Sequence, residues 1–115
     1  MSIEAIFHVA PHMVALREVR PAKPGPGELL VRAHCSAISP GTESLIFRGG
    51  VPENLKLDEQ LASLDGHFRY PFKYGYALVG EVIGVGSRED RRWQGRRVFA
   101  FHPHQTEAVI RPFAD

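Results

Sequence analysis

The stretch KYGYALVGEVIGVG, residues 73–86, decides the fold. A dinucleotide fingerprint needs Gly-x-Gly-x-x-Gly between a strand and a helix. Here Gly84 and Gly86 are followed by SRE, so the third glycine is missing, and SREDRRWQG predicts a turn into another strand. Glycines inside a strand, as at Gly80 and Gly84, mark a bulge or a close backbone neighbour. The stretch therefore predicts a strand whose glycines shape the backbone and bind no phosphate.

Composition places the chain among ordinary globular proteins. Its 115 residues allow one domain with a modest core, with 43% hydrophobic and 23% charged residues. A formal net charge of +1 gives no strong field toward nucleic acid or a membrane surface. No apolar run is long enough to cross a bilayer, and MSIEAIFHVAPHM lacks the pattern of a signal peptide.

Cys35 is the only cysteine, so an intramolecular disulfide and a cysteine-only zinc site are excluded. A cytoplasmic setting is the corresponding expectation. The position of Cys35 within an alternating strand predicts a small core residue rather than a nucleophile or a metal ligand.

Eleven glycines and nine prolines divide the chain into short pieces, as expected for strands joined by turns. The patterns predict strands over residues 3–9, 13–19, 28–38, 78–85, 97–101 and 106–111. A turn or two of helix is predicted over residues 42–47, and leucines at helical spacing predict another helix over residues 52–64. We therefore expect a mainly β protein that forms a closed or partly open barrel with one or two short helices.

The last third of the chain resembles the N-terminal GroES-like catalytic domain of the medium-chain dehydrogenases and reductases. The shared pattern is Gly-x-x-x-x-Gly-x-Val-x-x-Val-Gly, followed by a polar turn and then by Gly-x-Arg-Val. The matching positions are Gly75, Gly80, Val82, Val85, Gly86, Gly95, Arg97 and Val98. PGPGELLVRAHCSAISPGTE is similar to the family's turn, strand and catalytic loop, and TEAVIRPFAD to its closing segment. The resemblance covers residues 1–115 as one domain. GTESLIFRG, KYGY and VFAFHPHQ are most similar to the branch that includes bacteriochlorophyllide dehydrogenase.

The resemblance implies an enzyme without zinc. Zinc-dependent members use a loop cysteine and the histidine of a Gly-His-Glu segment, where this chain has Ser39 and Tyr76-Ala77. The family's structural zinc site needs four cysteines, and this chain has one. An alternative stays open, because His102 and His104 could chelate a metal from a tight turn. They could equally be ordinary turn residues.

The same resemblance supplies candidate catalytic residues. Thr42 matches the family's loop hydroxyl that passes a proton to or from the substrate oxygen. Tyr76 brings a phenol to the position of the lost histidine, and Ser39 could orient the substrate. Glu43 is expected to fix the loop rather than to transfer a proton. For each residue, a purely structural role in the loop is the alternative.

In this family a Rossmann domain holds the nicotinamide cofactor. The chain lacks its fingerprint, so NAD or NADP is expected to bind mainly outside this chain, on a domain supplied in cis or in trans. We expect a small-molecule substrate, no activity of the chain alone and some exposed apolar surface, and a homo-oligomer is compatible. The rival hypothesis is a stand-alone GroES-like binding or assembly module, since a fold does not fix a function.

Overall fold

A computed structural model describes residues 3–50 and 70–112, apart from the Glu89 side chain. The strands are β1 (Ile3–Ala10), β2 (Met13–Val19), β3 (Leu29–Ser36), β4 (Phe72–Lys73), β5 (Leu78–Val85), β6 (Arg97–Ala100) and β7 (Glu107–Ile110). The helices are α1 (Thr42–Phe47) and a 3-10 helix (Arg88–Trp93). The predicted helix over residues 52–64 lies outside the described residues.

The strands form two antiparallel sheets, in the order β2-β1-β4 and β6-β5-β3-β7. Residues 104–106 run between them. Thr106 donates its N–H to the Glu4 carbonyl of β1 at 2.9 Å and accepts from the N–H of Ala33 in β3 at 2.9 Å. The sheets are therefore joined along one side without closing into a barrel, and the prediction of a mainly β, partly open domain is confirmed.

The core of the larger sheet comes from alternating residues of its two central strands. Leu29 and Val31 of β3 pack against Leu78 and Val82 of β5, and all four are fully buried. Alternation puts these side chains on one face of the sheet. Burial of each of these four side chains stabilises the folded sheet by about 1.5–3 kcal/mol.

Two glycines of residues 73–86, Gly80 and Gly86, allow close backbone approach. A Cβ on Gly80 would lie 2.3 Å from the carbonyl oxygen of Arg32 on the paired strand. A Cβ on Gly86 would lie 1.7 Å from the carbonyl oxygen of Gly25 in the PGPG turn. Real carbon atoms cannot approach so closely, so each position requires glycine. The prediction of a close backbone neighbour is confirmed for Gly80, whereas Gly84 has only ordinary contacts and lies at an irregularity in the pairing of β3 with β5.

Three features differ from the sequence-based expectations. The short strand β4 lies outside the strands predicted from the sequence, and it forms by pairing with β1. The segment after Gly86 contains a 3-10 helix where only a turn was expected. Cys35 is exposed, so the prediction of a core cysteine is wrong.

A β-bulge explains the exposure of Cys35. In the pairing of β3 with β5, Ala33 opposes Gly80 and Cys35 opposes Val79. Two residues of β3 therefore match one step of β5, which disrupts the alternation of side chains beyond the bulge. In the part of the chain that the structure describes, no helix is long and apolar enough to cross a membrane.

Candidate functional site

The candidate site begins at the loop that connects β3 to α1. Glu43, in the first turn of α1, is only 5% exposed. Its Oε2 accepts the backbone N–H of Ser39 at 2.7 Å. A carboxylate that bonds a backbone amide four residues earlier fixes the path of the loop between them. The expected loop-holding contact of Glu43 is present, and it determines where Ser39 and Thr42 lie.

His104 is the second buried polar residue of the site, with 4% of its surface exposed. Its Nε2 is hydrogen-bonded to Glu43 Oε1, and its Nδ1 lies 2.5 Å from the Ser36 hydroxyl oxygen. The imidazole also packs closely on Gly75, where a Cβ would lie 2.9 Å from Nε2. Glycine at this position therefore makes room for the ring.

The hydrogen bonds favour one tautomer of His104. The carboxylate of Glu43 can only accept, so we assign the ring proton to Nε2. The Nδ1 atom is then an acceptor, and the Ser36 hydroxyl donates to it. The result is a continuous chain of hydrogen bonds from a buried carboxylate, through a buried imidazole, to a partly exposed hydroxyl.

His8 of β1 adds a further titratable group near this chain. It is 6% exposed, and its Nδ1 has no hydrogen-bond partner among the described residues. Burial lowers the pKa of His8, the charge of Glu43 raises that pKa, and His104 lowers it. Because burial dominates, His8 is held neutral over a wider range of pH than an exposed histidine.

The three candidate catalytic residues, Ser39, Thr42 and Tyr76, lie around α1. Ser39 precedes the helix, and its hydroxyl oxygen is buried with no hydrogen-bond partner in the described part of the chain. Thr42 opens the helix and is exposed. Tyr76 packs against the cluster of Ile46 and Tyr74, and its ring meets the Tyr74 ring edge to face at 6.2 Å. Their positions are thus linked through one helix, and their chemical roles remain predictions.

The histidines of the HPH turn have separate environments. Both ring nitrogens of His104 are hydrogen-bonded to protein groups. His102 donates from Nδ1 to the Pro103 carbonyl at 2.9 Å, and burial lowers the pKa of its ring, offset in part by that hydrogen bond. Residues 3–50 and 70–112 contain no group of three or more metal-ligating side chains placed to hold a metal ion. In this arrangement His104 has no free nitrogen with which to join His102 in a chelate.

Sequence reasoning did not find the contact between Ser36, Glu43 and His104. His104 lies 68 residues from Ser36 and 61 residues from Glu43. Both contacts depend on the segment 104–106 crossing between the sheets, where the Ile6 N–H donates to the His104 carbonyl at 3.1 Å. The available signal in the sequence was a glutamate next to the first loop and a histidine elsewhere in the chain, and it did not specify the pair.

Comparison with known proteins finds similarity among solved structures. No family model and no curated protein matches the sequence. Among solved structures, the chain is similar to a "putative zinc-binding dehydrogenase" from Sinorhizobium meliloti 1021 bound to NADP, with a TM-score of 0.63 and 15% identity. The match covers 96% of this chain and 36% of that one, so the chain spans about a third of the dehydrogenase's length. The likeness shows that this chain and part of that dehydrogenase share a fold.

Proposed function

We propose that the chain is the substrate-binding and catalytic part of a zinc-free, NAD(P)-dependent oxidoreductase. Its substrate would be a small molecule with a carbonyl, an alcohol or an activated double bond. The observation that carries this proposal is the fold likeness, over 96% of the chain, to a dehydrogenase bound to NADP. The loop of Ser39 and Thr42, fixed by a buried glutamate, supports it as a place to hold a reacting oxygen.

In this proposal, hydroxyl groups of the chain form hydrogen bonds with the substrate oxygen. Thr42 is exposed at the start of α1, where it can donate a hydrogen bond to that oxygen or accept one from it. Ser39 orients the substrate from the same loop, and Tyr76 is a second donor. General acid–base catalysis by a positioned group contributes about 10²- to 10⁴-fold to a rate.

Zinc does not fit the residues at the positions of the family's ligands. The oxygen of Ser39 is buried but neutral, and Tyr76 supplies a phenol where zinc sites use an imidazole or a thiolate. The buried imidazole of His104 already has a protein partner at each of its two nitrogens. The proposed mechanism therefore uses no metal.

The cofactor would be held mainly by a Rossmann domain outside this chain, in cis or in trans. The N–H of Gly86 donates to the Glu28 carbonyl at 3.0 Å, so this amide is not free to bind a phosphate. When bound, NAD(P) supplies or accepts the hydride. We propose that the chain acts in the cytoplasm, binds neither nucleic acid nor membrane, and is inactive by itself.

Two measurements test the proposal. A calorimetric titration of the purified chain with NADPH is expected to show no saturation at micromolar concentration. A micromolar dissociation constant would contradict the proposal that the cofactor binds mainly outside this chain. Addition of a Rossmann domain encoded in the same or an adjacent reading frame is expected to give oxidation or reduction of NAD(P). Metal analysis after dialysis is expected to find no zinc, and one equivalent of retained zinc would refute the zinc-free proposal.

Variants then assign the residues in the completed enzyme. Thr42→Val and Tyr76→Phe keep size and remove a hydroxyl, and each is expected to lower kcat by about 10²-fold or more if it handles the proton. Ser44→Ala, on the same helix, is the matched control and is expected to leave kcat unchanged. Full activity of both Thr42→Val and Tyr76→Phe would remove these residues from the mechanism.

A further inference from the structure

Strand β2 forms an open edge of the smaller sheet. The sheet order is β2-β1-β4, so within the described residues β2 is paired on one side only. It has seven residues, whereas the other edge strands, β4, β6 and β7, have two, four and four. A long edge strand offers a row of unpaired backbone N–H and C=O groups to another strand. Among these edges, β2 is therefore the one best suited to pairing.

Hydrogen bonds of β1 show which backbone groups of β2 face the open edge. The Glu4 carbonyl accepts from the Thr106 N–H at 2.9 Å, and the Ile6 N–H donates to the His104 carbonyl at 3.1 Å, so these groups point away from β2. Residues of an antiparallel ladder bond alternately to the two sides. The alternate residues of β1 therefore bond to β2, where they oppose Ala15, Arg17 and Val19.

The remaining residues of β2 point their backbone groups outward. These residues are Val14, Leu16 and Glu18, and no backbone hydrogen bond links them to any described part of the chain other than β1. The Leu16 side chain is 67% exposed and the Val14 side chain is 51% exposed. The only charges of the strand, Arg17 and Glu18, lie towards one end. The middle of the edge is thus apolar and lacks the lysine or proline that keeps natural edge strands from pairing.

We propose that two copies of this chain pair through β2, antiparallel and about a twofold axis, so that their three-stranded sheets join into one continuous sheet. This inference goes beyond the proposed function and does not rest on it. A second copy fits the edge because each charged residue of the strand then opposes an uncharged one. Arg17 opposes Ala15 of the second copy, and Glu18 opposes Val14 of the second copy.

The charges of β2 select this register. Opposed residues of an antiparallel pair share a face of the sheet, so a twofold axis makes one residue oppose its own copy. An axis at Arg17 or Glu18 would place like charges directly opposite each other, which destabilises a sheet. An axis at Ala15 would leave Glu18 opposite the turn before β2. An axis at Leu16 pairs all three outward-pointing residues, with two hydrogen bonds for each pair and about six in all.

Amide hydrogen exchange and sedimentation test the pairing on the chain alone. The amides of β2 that bond to β1 are expected to be protected at every protein concentration. The amides of Val14, Leu16 and Glu18 are expected to exchange at least about tenfold more slowly at high than at low concentration, because only the dimer protects them. Sedimentation is expected to show twice the mass of the chain over the same increase in concentration.

Substitutions at the two sheet edges test which strand pairs. Leu16→Lys is expected to raise the dissociation constant of the dimer by about tenfold or more, because it places two ammonium groups opposite each other. Phe99→Lys is the matched control, at an apolar residue that is 55% exposed on the edge strand β6, and it is expected to leave the dimer unchanged. Urea midpoints near that of the wild type verify that both variants fold.

A disulfide tests the register. Cys35 is exposed, so the test uses Cys35→Ala as its background. Leu16→Cys is expected to give a cross-linked dimer on mild oxidation, because the Cα atoms of a hydrogen-bonded pair lie about 5.5 Å apart, within the span of a disulfide. Val14→Cys is expected to cross-link at least about tenfold more slowly, because its two copies would lie about 14 Å apart along the strands.

Several results would overturn the proposal. A monomer at every concentration would do so, as would a dimer that survives Leu16→Lys. Protection of the outward-pointing amides that does not depend on concentration would assign the edge to another part of the chain, and concentration-dependent protection of β6 instead would place the interface on the larger sheet. Equal cross-linking of Leu16→Cys and Val14→Cys would refute the register. No cofactor or substrate is needed, so failure of the oxidoreductase assay and failure of this pairing are separate results.

Discussion

Replacement of Gly86 by alanine tests how the fold is held together. The new methyl group would lie 1.7 Å from the Gly25 carbonyl oxygen and 3.0 Å from the Pro24 carbonyl oxygen. Both neighbours are backbone atoms, so no side chain can rotate to make room. The segment must move away from the PGPG turn, which breaks or stretches the hydrogen bond from the Gly86 N–H to the Glu28 carbonyl, 3.0 Å long.

The expected cost follows from these contacts. Overpacking costs about 1–3 kcal/mol, and each lost backbone hydrogen bond costs about 1 kcal/mol. Alanine also lowers the conformational entropy of the unfolded chain, which stabilises the folded protein by about 0.4–1 kcal/mol where alanine can adopt the native backbone conformation. Because both neighbours are backbone atoms, the upper end of the overpacking range applies, and Gly86→Ala is expected to lower the free energy of unfolding by about 3 kcal/mol.

Gly84→Ala is the matched control from the same stretch. There a Cβ would meet its nearest neighbour, the Cβ of Leu30, at 3.6 Å, which is an ordinary contact. Its free energy of unfolding is expected to stay within about 1 kcal/mol of the wild type. Urea denaturation measures both variants, and at a slope of about 2 kcal/mol/M the midpoint of Gly86→Ala falls by about 1.5 M. Equal midpoints for the two variants would refute the close-approach explanation.

Three further outcomes are expected. Glu43→Ala leaves the buried His104 ring and a backbone amide without their acceptor, and it should lower the free energy of unfolding by about 3 kcal/mol. Glu81→Ala, which removes an exposed ion pair with His34 at 4.0 Å, should lower it by less than about 1 kcal/mol. Equal urea midpoints for the two variants would contradict this expectation. Burial lowers the pKa of His8, so the unfolded chain binds more protons below about pH 6.5, and stability should fall as the pH drops from 7.5 to 5.5. His8→Phe should flatten that dependence, and an unchanged slope would assign it to other groups. A measurement of the native mass in solution is expected to show no sevenfold ring. A sevenfold ring would favour the assembly-module hypothesis.

The sequence by itself determined the local structure where the pattern is carried by neighbouring residues. Alternation along the chain predicted β2 and β3, because a strand's side chains alternate between its faces. Short segments bounded by turn residues predicted β1 and β5. The missing third glycine excluded a dinucleotide fingerprint. The segment 42–47 was predicted as a short helix, and α1 has those bounds.

Only the tertiary structure decided which distant residues meet. The crossing of residues 104–106 between the sheets brings His104 to Glu43 and Ser36, across 61 and 68 residues of sequence. A bulge opposite Gly80 turned Cys35 outward, and pairing with β1 made β4 a strand. Periodicity reports the environment of a residue along its own strand, whereas contacts between elements depend on register and crossing, and local patterns do not encode them.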